Sequence, residues 1–374
     1  MKRVGRILTQ QFQFITSKWG YSGMKKVLSV LSVATLSLSL LLAGCGGQAN
    51  QGEQGKQGEA GGAAAPTARI GMVTDVGGVN DNSFNQSAWE GLQKLQADLN
   101  LPKENVNYLQ SNGDADYVPN LTQFVKDKWD LTWGIGFLMG DHVKKVAEEN
   151  PDAKLAIIDA VVEAPNVESV VFKEHEGSFL VGVVAAKMTK TNKIGFVGGM
   201  DIPVIKRFEA GFIAGVKAAN PNAKVIPVYT GAFDKPDLGK SAASQLFGQG
   251  ADIVFHAAGS TGDGVFNEAK DRKSKGENVW VIGVDKDQSV TFGKDITLTS
   301  MMKRVDEAVY RVSKDVIEGK FQGGRVVALG LAENGVGLPE TSKDTVPEDV
   351  LKAVEEFKQK IIKGEIKVPE TPEK

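Results

Sequence analysis

Twice along this chain, short apolar runs alternate with segments whose apolar residues recur at helical spacing. Ile70–Val73, Val106–Leu109, Leu131–Phe137 and Leu155–Ile158 make the first series. Between them lie helical patterns at Phe84–Leu99, Tyr117–Lys126 and Asp141–Glu149, the first carrying Phe84, Ala88, Leu92, Leu95 and Leu99 on one face with Asn82 or Ser83 as its cap. The second series is Ile194–Val197, Lys224–Val228, Ile253–His256 and Val279–Val284, separated by helical patterns at Val204–Ala218, Leu238–Phe247 and Val265–Lys273. Uninterrupted apolar strands bury both faces, and strand–helix alternation makes neighbouring strands parallel. The fold class is therefore α/β, with parallel sheets covered by helices. Two series imply two similar lobes, with a break near Lys190–Lys193. The remaining strands and helices (Leu298–Met301, Val305–Ile317, Arg325–Leu329 and Val350–Ile362) are too few for a third domain and return the chain across both lobes.

The first 67 residues do not share this pattern. Lys25-Lys26 precedes an uncharged stretch, Val27–Gly44, which ends Leu42-Ala43-Gly44-Cys45. Eighteen such residues approach a membrane span, but a basic start, an apolar core and a small-residue cleavage site describe an export signal. Its ending resembles the lipobox of bacterial lipoproteins, which assigns Cys45 as the lipidated residue. Met24 is a candidate start for a signal of conventional length. Residues 1–44 are thus read as signal peptide and 45–67 as a flexible tether. From Gly46 to Pro66 the tether has no large apolar side chain to offset the entropy of ordering. This places the body of the protein on the extracytoplasmic face of a cell membrane, held by lipid.

Composition removes several function classes. Lys and Arg total 44 against 46 Asp and Glu, for a net charge of −2, so no basic field invites nucleic acid. A single cysteine excludes internal disulfides and cysteine-rich metal sites. The three histidines (His142, His175 and His256) are far apart in sequence, so neither a metal nor another cofactor is expected.

In open α/β sheets, ligands bind beyond the carboxyl ends of the strands. Four strands here end in Asp75, Asp159, Gly259 and Asp285. One such Asp is ordinarily a turn or helix cap. Three on convergent ends suit a metal, an acid–base pair or recognition of hydroxyl groups. No Ser-His or Cys-His constellation supports catalysis, and recognition requires only placement. The segment Gly259-Ser-Thr-Gly262-Asp-Gly264 lacks the spacing of a phosphate loop. Phe84 and Phe233 stand in loops, one in each series. Phe84 is either the staple of its own helix or, with Phe233, one side of a sandwich around a flat ring. Asn85 beside it can offer an amide to a base edge.

The segment Thr74-Asp75-Val-Gly-Gly-Val-Asn80-Asp-Asn-Ser-Phe84-Asn-Gln-Ser-Ala-Trp89-Glu-Gly91 resembles the signature of the basic membrane protein family, lipoprotein substrate-binding components of ABC transporters. Ala156–Asp159, Ile282–Gln288 and Thr299–Asp306 extend the resemblance. It implies a type I periplasmic-binding fold, with two Rossmann-like lobes joined by a three-crossover hinge. Lobe I would comprise 68–190 plus about 302–328, and lobe II 191–301 plus about 329–374. It also implies a monomeric receptor, not an enzyme, that binds a purine nucleoside (inosine, guanosine or adenosine) and passes it to an ABC permease. By motif, Phe84 and Phe233 would stack the base, with Asn85 and Asp159 on its edge. Asp75, Gly259, Asp285 and Lys303 would contact the rest of the base or the ribose. Phe208, in another matching block, is read as support for the start of its helix. The alternatives are a sugar or other small polyol in the same cleft, a nucleoside hydrolase using the aspartates, and a ligand-sensing regulator. The last would need a DNA-binding segment where this chain has its signal and tether.

Overall fold

The computed structural model describes residues 67–372. The signal, Cys45 and nearly all of the tether lie outside the described residues. The first half begins with β1 (Ile70–Thr74), α1 (Phe84–Leu99), β2 (Val106–Leu109), α2 (Tyr117–Lys126), β3 (Leu131–Ile135), α3 (Gly140–Glu149), β4 (Leu155–Ile158) and β5 (Val167–Phe172). After α4 (Glu174–Met188) come β6 (Lys193–Gly198), α5 (Pro203–Ala219), β7 (Lys224–Tyr229), α6 (Pro236–Gly248), β8 (Ile253–Ala257), α7 (Thr261–Ser274), β9 (Trp280–Asp285), the single turn α8 (Ser289–Phe292) and β10 (Thr297–Lys303). The chain ends with α9 (Val305–Ile317), β11 (Val326–Leu329), the two-residue β12 (Val336–Gly337) and α10 (Glu348–Ile362).

These strands form two six-stranded sheets, ordered β11-β5-β4-β3-β1-β2 and β12-β10-β9-β8-β6-β7. Pairing is parallel throughout except at β12, which runs antiparallel to β10. In the first sheet β1 is central, with Ile70 opposite Val106 on one side and Leu131 on the other. All five residues of β1, β3 and β8 are buried, as expected of strands covered on both faces. Among the described residues the chain passes between sheets three times: from β5 to β6, from β10 to β11, and from β11 to β12. This is the connectivity expected of a type I periplasmic-binding fold. No helix of the described residues is long and apolar enough to cross a membrane.

Four elements escape the sequence pattern: β5, α4, the single turn α8 and the two-residue β12. The last two are too short to carry a period, and α4 shows no amphipathic stripe because 12 of its 15 residues are buried. A helix apolar on all sides is one that is covered on all sides. Its main partner is α5, on the second half of the molecule. The close approach relies on glycines: a Cβ at Gly211 would lie 2.1 Å from the His175 carbonyl oxygen, and one at Gly215 would lie 2.0 Å from that of Phe179. The expected break at Lys190–Lys193 thus falls after α4, whereas the chain leaves the first sheet at Phe172. The third strand is also shorter than expected. It stops at Ile135 because Gly136 turns at φ +125°, and Phe137–Met139 then form a single 3-10 turn.

Candidate functional site

The carboxyl ends of β1, β3 and β4 in the first sheet face those of β8, β9 and β10 in the second across one cavity. It encloses about 580 Å³ including its open mouth. All eight expected ligand-binding positions border it: Asp75, Phe84, Asn85, Asp159, Phe233, Gly259, Asp285 and Lys303. Asp159 and Asp285 adopt left-handed backbone conformations, at φ +70° and +63°. Asp tolerates this region better than most residues, and there the strand ends sharply with its carboxylate over the cavity.

Asp75 is held from below. Its Oδ1 accepts the Gly77 N–H at 2.9 Å and Asn85 Nδ2 at 2.8 Å, whereas Oδ2 receives no hydrogen bond from the described residues. Burial pushes its pKa up to about 6, against the lowering effect of Asn85 and Gly77. Asn85 proves to be engaged elsewhere than expected. Its two amide hydrogens go to Asp75 and Asp81, and its Oδ1 accepts the Asp75 N–H at 3.3 Å. Asn85 therefore orients a carboxylate, and little of its amide remains for a base edge.

Ser83 is the N-cap residue of α1, one of the two positions expected, but its side chain makes no capping hydrogen bond. Asp81, fully buried, accepts the N–H groups of Ser83, Asn85 and Gln86 at 3.0, 2.8 and 3.0 Å, satisfying donors that the start of α1 would leave orphaned. Those bonds fix the turn that presents Phe84. The path of the backbone, not the residue types alone, brings Asp81 beneath those three N–H groups.

Lys303, at the end of β10, is 1% exposed. Its Nζ lies 2.6 Å from Asp159 Oδ2 and 3.0 Å from Glu174 Oε1, and it sits 5.1–5.6 Å from the ring centres of Phe84, Phe172 and Phe208. Glu174 is shared with Arg207 Nε at 2.6 Å. Burial works against these charges; Lys303 and Arg207 nevertheless hold Glu174 below the usual carboxylate range. Burial wins at Asp159, whose pKa is raised, and its Oδ1 is buried without a hydrogen-bond partner. Asp285 is likewise pushed up by burial, to about 7, despite the nearby Lys303 charge; its Oδ2 accepts Ser83 Oγ from the opposite wall.

Phe84 comes from the first half and Phe233 from the second. The Phe233 ring lies over Gly199, where a Cβ would meet ring carbons at 2.3–2.4 Å. Gly259, at φ +56°, allows its own loop to pass the Phe233 carbonyl, which accepts Ser260 Oγ and the Thr261 N–H. Several lining residues were not anticipated, among them Gly136, Phe137, Leu138, Ile202 and Ile205. The first three follow a strand end, the rule that located the aspartates. Phe208 is corrected from helix support to cavity lining, because the second turn of α5 points it at Lys303.

Among the side chains, the open valences of this cavity are mostly acceptors: Asp75 Oδ2, Asp159 Oδ1 and the free oxygen of Asp285. An uncharged ligand rich in hydroxyl and N–H donors, with a flat apolar ring, satisfies them. An anion does not.

Comparison with known proteins agrees with this geometry. Residues 68–372 match the family model described as Bmp, ABC transporter substrate-binding protein PnrA-like. A CD4+ T-cell-stimulating antigen of Listeria monocytogenes is 50% identical over 81% of this chain and 88% of its own length. The ABC transporter nucleoside-binding protein BmpA of Lactococcus lactis is 42% identical over 80% and 88%. Among solved structures, an ABC transporter solute-binding protein of Aeropyrum pernix superimposes with a TM-score of 0.74 at 34% identity, covering 82% of this chain and 94% of that one. The chain belongs to the Bmp family of PnrA-like ABC transporter substrate-binding proteins.

Proposed function

We propose that this protein is a lipid-anchored, extracytoplasmic receptor that takes a purine nucleoside into the interlobe cavity and delivers it to an ABC importer. The observation that carries the reading is the pairing of phenyl rings from opposite walls with carboxylate oxygens that lack donors. In this reading a purine ring stacks between Phe84 and Phe233, both of which line the cavity, and ribose hydroxyls and ring N–H groups supply the donors. The name of the 42%-identical Lactococcus lactis protein supports the same ligand class. The lipobox ending at Cys45 and the tether after it support anchorage.

In this reading each lobe presents half a site, and the three interlobe passages form the hinge. The lobe limits are those read from the sequence, with α4 moved to the second lobe. Shifting such a hinge from mostly open to mostly closed takes about 5.5 kcal/mol of differential affinity. Two stacked rings at about 1–3 kcal/mol each, plus hydrogen bonds to charged groups at about 1.5–3 kcal/mol each, reach that scale. The closed shape is then what the permease recognises, and the protein performs no bond chemistry.

Calorimetric titration of the purified protein with inosine, guanosine and adenosine tests this, with D-ribose as the comparison. Saturable heat with at least one nucleoside is expected. Silence from all three, or binding of ribose alone, refutes the nucleoside reading.

A further inference from the structure

Four contacts join the turn and helix after β1 to the opposite half of the molecule. Asn82 Nδ2 donates to Asp263 Oδ2 in the first turn of α7 at 2.9 Å. The Asn82 carbonyl accepts Gln288 Nε2 at 3.1 Å. Ser83 Oγ donates to Asp285, and Lys286 Nζ pairs with Glu90 at 2.6 Å. Of these residues only Asp285 borders the cavity.

Both sides of the contact are set before they meet. Asn82 sits at φ +53° in a turn fixed by the Asp81 carboxylate. Opposite it, Gln288 Oε1 accepts the Val284 N–H at 3.0 Å and lies 2.9 Å from His256 Nε2. An amide oxygen only accepts, so the buried His256 presents its Nε2–H to Gln288 Oε1, and the Gln288 amide NH2 is left facing Asn82. A prealigned donor and acceptor lose little entropy on meeting, so their bond adds to the closed state. Asp263 Oδ1 is buried without a hydrogen-bond partner, which offsets part of that gain.

We propose that Asn82, with Asp263 and Gln288 as its partners, is a closure latch: a positioning residue that sets how long a ligand stays bound without touching it. The inference rests on the cleft closing around its ligand, not on which ligand that is.

The test is a double-mutant cycle on the full-length protein. Asn82→Gly keeps the left-handed backbone and removes the donor, and Asp263→Ala removes the acceptor. Stopped-flow dissociation of inosine and guanosine is expected to accelerate about three- to tenfold in each single variant, the range of one hydrogen bond. Association is expected to change little, and the double variant to be no worse than the worse single one. The ratio of inosine to guanosine affinity is expected to stay at the wild-type value. Unchanged dissociation, fully additive effects, or a shifted ratio overturns the proposal; the last would place Asn82 in contact with the ligand. If only D-ribose binds, the nucleoside reading fails, and the same cycle run with ribose decides the latch. If none of the three binds, small-angle scattering decides it: Asp263→Ala must be more expanded than the wild type. Thermal melts of both variants establish that each is folded.

Discussion

Replacing Lys303 with methionine removes one charge and leaves the packing volume nearly intact. The thioether can still lie among Phe84, Phe172 and Phe208, so the loss is mainly electrostatic. Two buried carboxylates lose a partner at 2.6 and 3.0 Å, but Glu174 keeps Arg207 and Asp159 keeps nothing comparable. Breaking a buried pair from one side costs about 3–5 kcal/mol. The pH dependence identifies the cause. Asp159 already has a raised pKa, and without Lys303 it rises further, so the folded variant binds a proton that the unfolded chain releases above its ordinary value of 3.8. Stability then falls as pH rises, by up to about 1.4 kcal/mol per unit until the folded pKa is reached. Lys303 itself is raised in the wild type, so its stabilisation is constant below 10.5 and adds no slope in this window. Asp75 titrates in both proteins and cancels to first order, whereas Asp285 also loses the Lys303 charge, shifts further upward in the variant and adds to the same slope. Urea unfolding followed by tryptophan fluorescence at pH 5 and pH 8 should show the gap between Lys303→Met and wild type widening with pH, toward about 3–5 kcal/mol at pH 8. A gap below about 1 kcal/mol at pH 8, or one that does not widen, refutes the argument that Lys303 neutralises Asp159.

Phe84→Ala and Phe233→Ala should each weaken nucleoside binding by about 1–3 kcal/mol, measured by calorimetry, while leaving ribose heats unchanged; equal losses for ribose would show that the rings shape the cavity and do not stack a base. Affinity should rise from pH 5.5 to 7.5, because ligand hydroxyls favour ionised carboxylates and the ligand-free pKa values of Asp75 and Asp285 are about 6 and 7. Asp285→Asn should flatten the upper part of that profile, and an unaltered profile would assign the titration to another group. Asn85→Ala strips donors from Asp75 and Asp81 together and should cost about 1–3 kcal/mol of stability in thermal or urea unfolding, with a loss below about 0.5 kcal/mol contradicting the orienting role described above.

Much of the site was legible because strand ends are local features. An apolar run that stops at an aspartate or a glycine marks the rim of a parallel sheet, and this rule alone picks out Asp75, Asp159, Gly259 and Asp285. Phe137 follows the same rule but falls inside the strand expected at Leu131–Phe137, since a phenylalanine prolongs an apolar run and only the rotation at Gly136 ends it. The helix α4 was missed for a related reason. Periodicity reports the boundary between buried and wet faces, and a helix buried on every side has no such boundary.

The sequence by itself determined the α/β class, the doubling into two sheets, and the residues at the strand ends, because these follow from short-range alternation of apolar and polar side chains. Tertiary structure alone decided how those residues share their bonds. Asn85 spends its amide on Asp75 and Asp81, Lys303 joins Asp159 to Glu174, and Asn82 reaches Asp263 across 181 positions of sequence. Hydrogen bonds and ion pairs depend on distances of about 3 Å and on direction. Which partners meet at that range is set by the packing of two sheets, not by residue type.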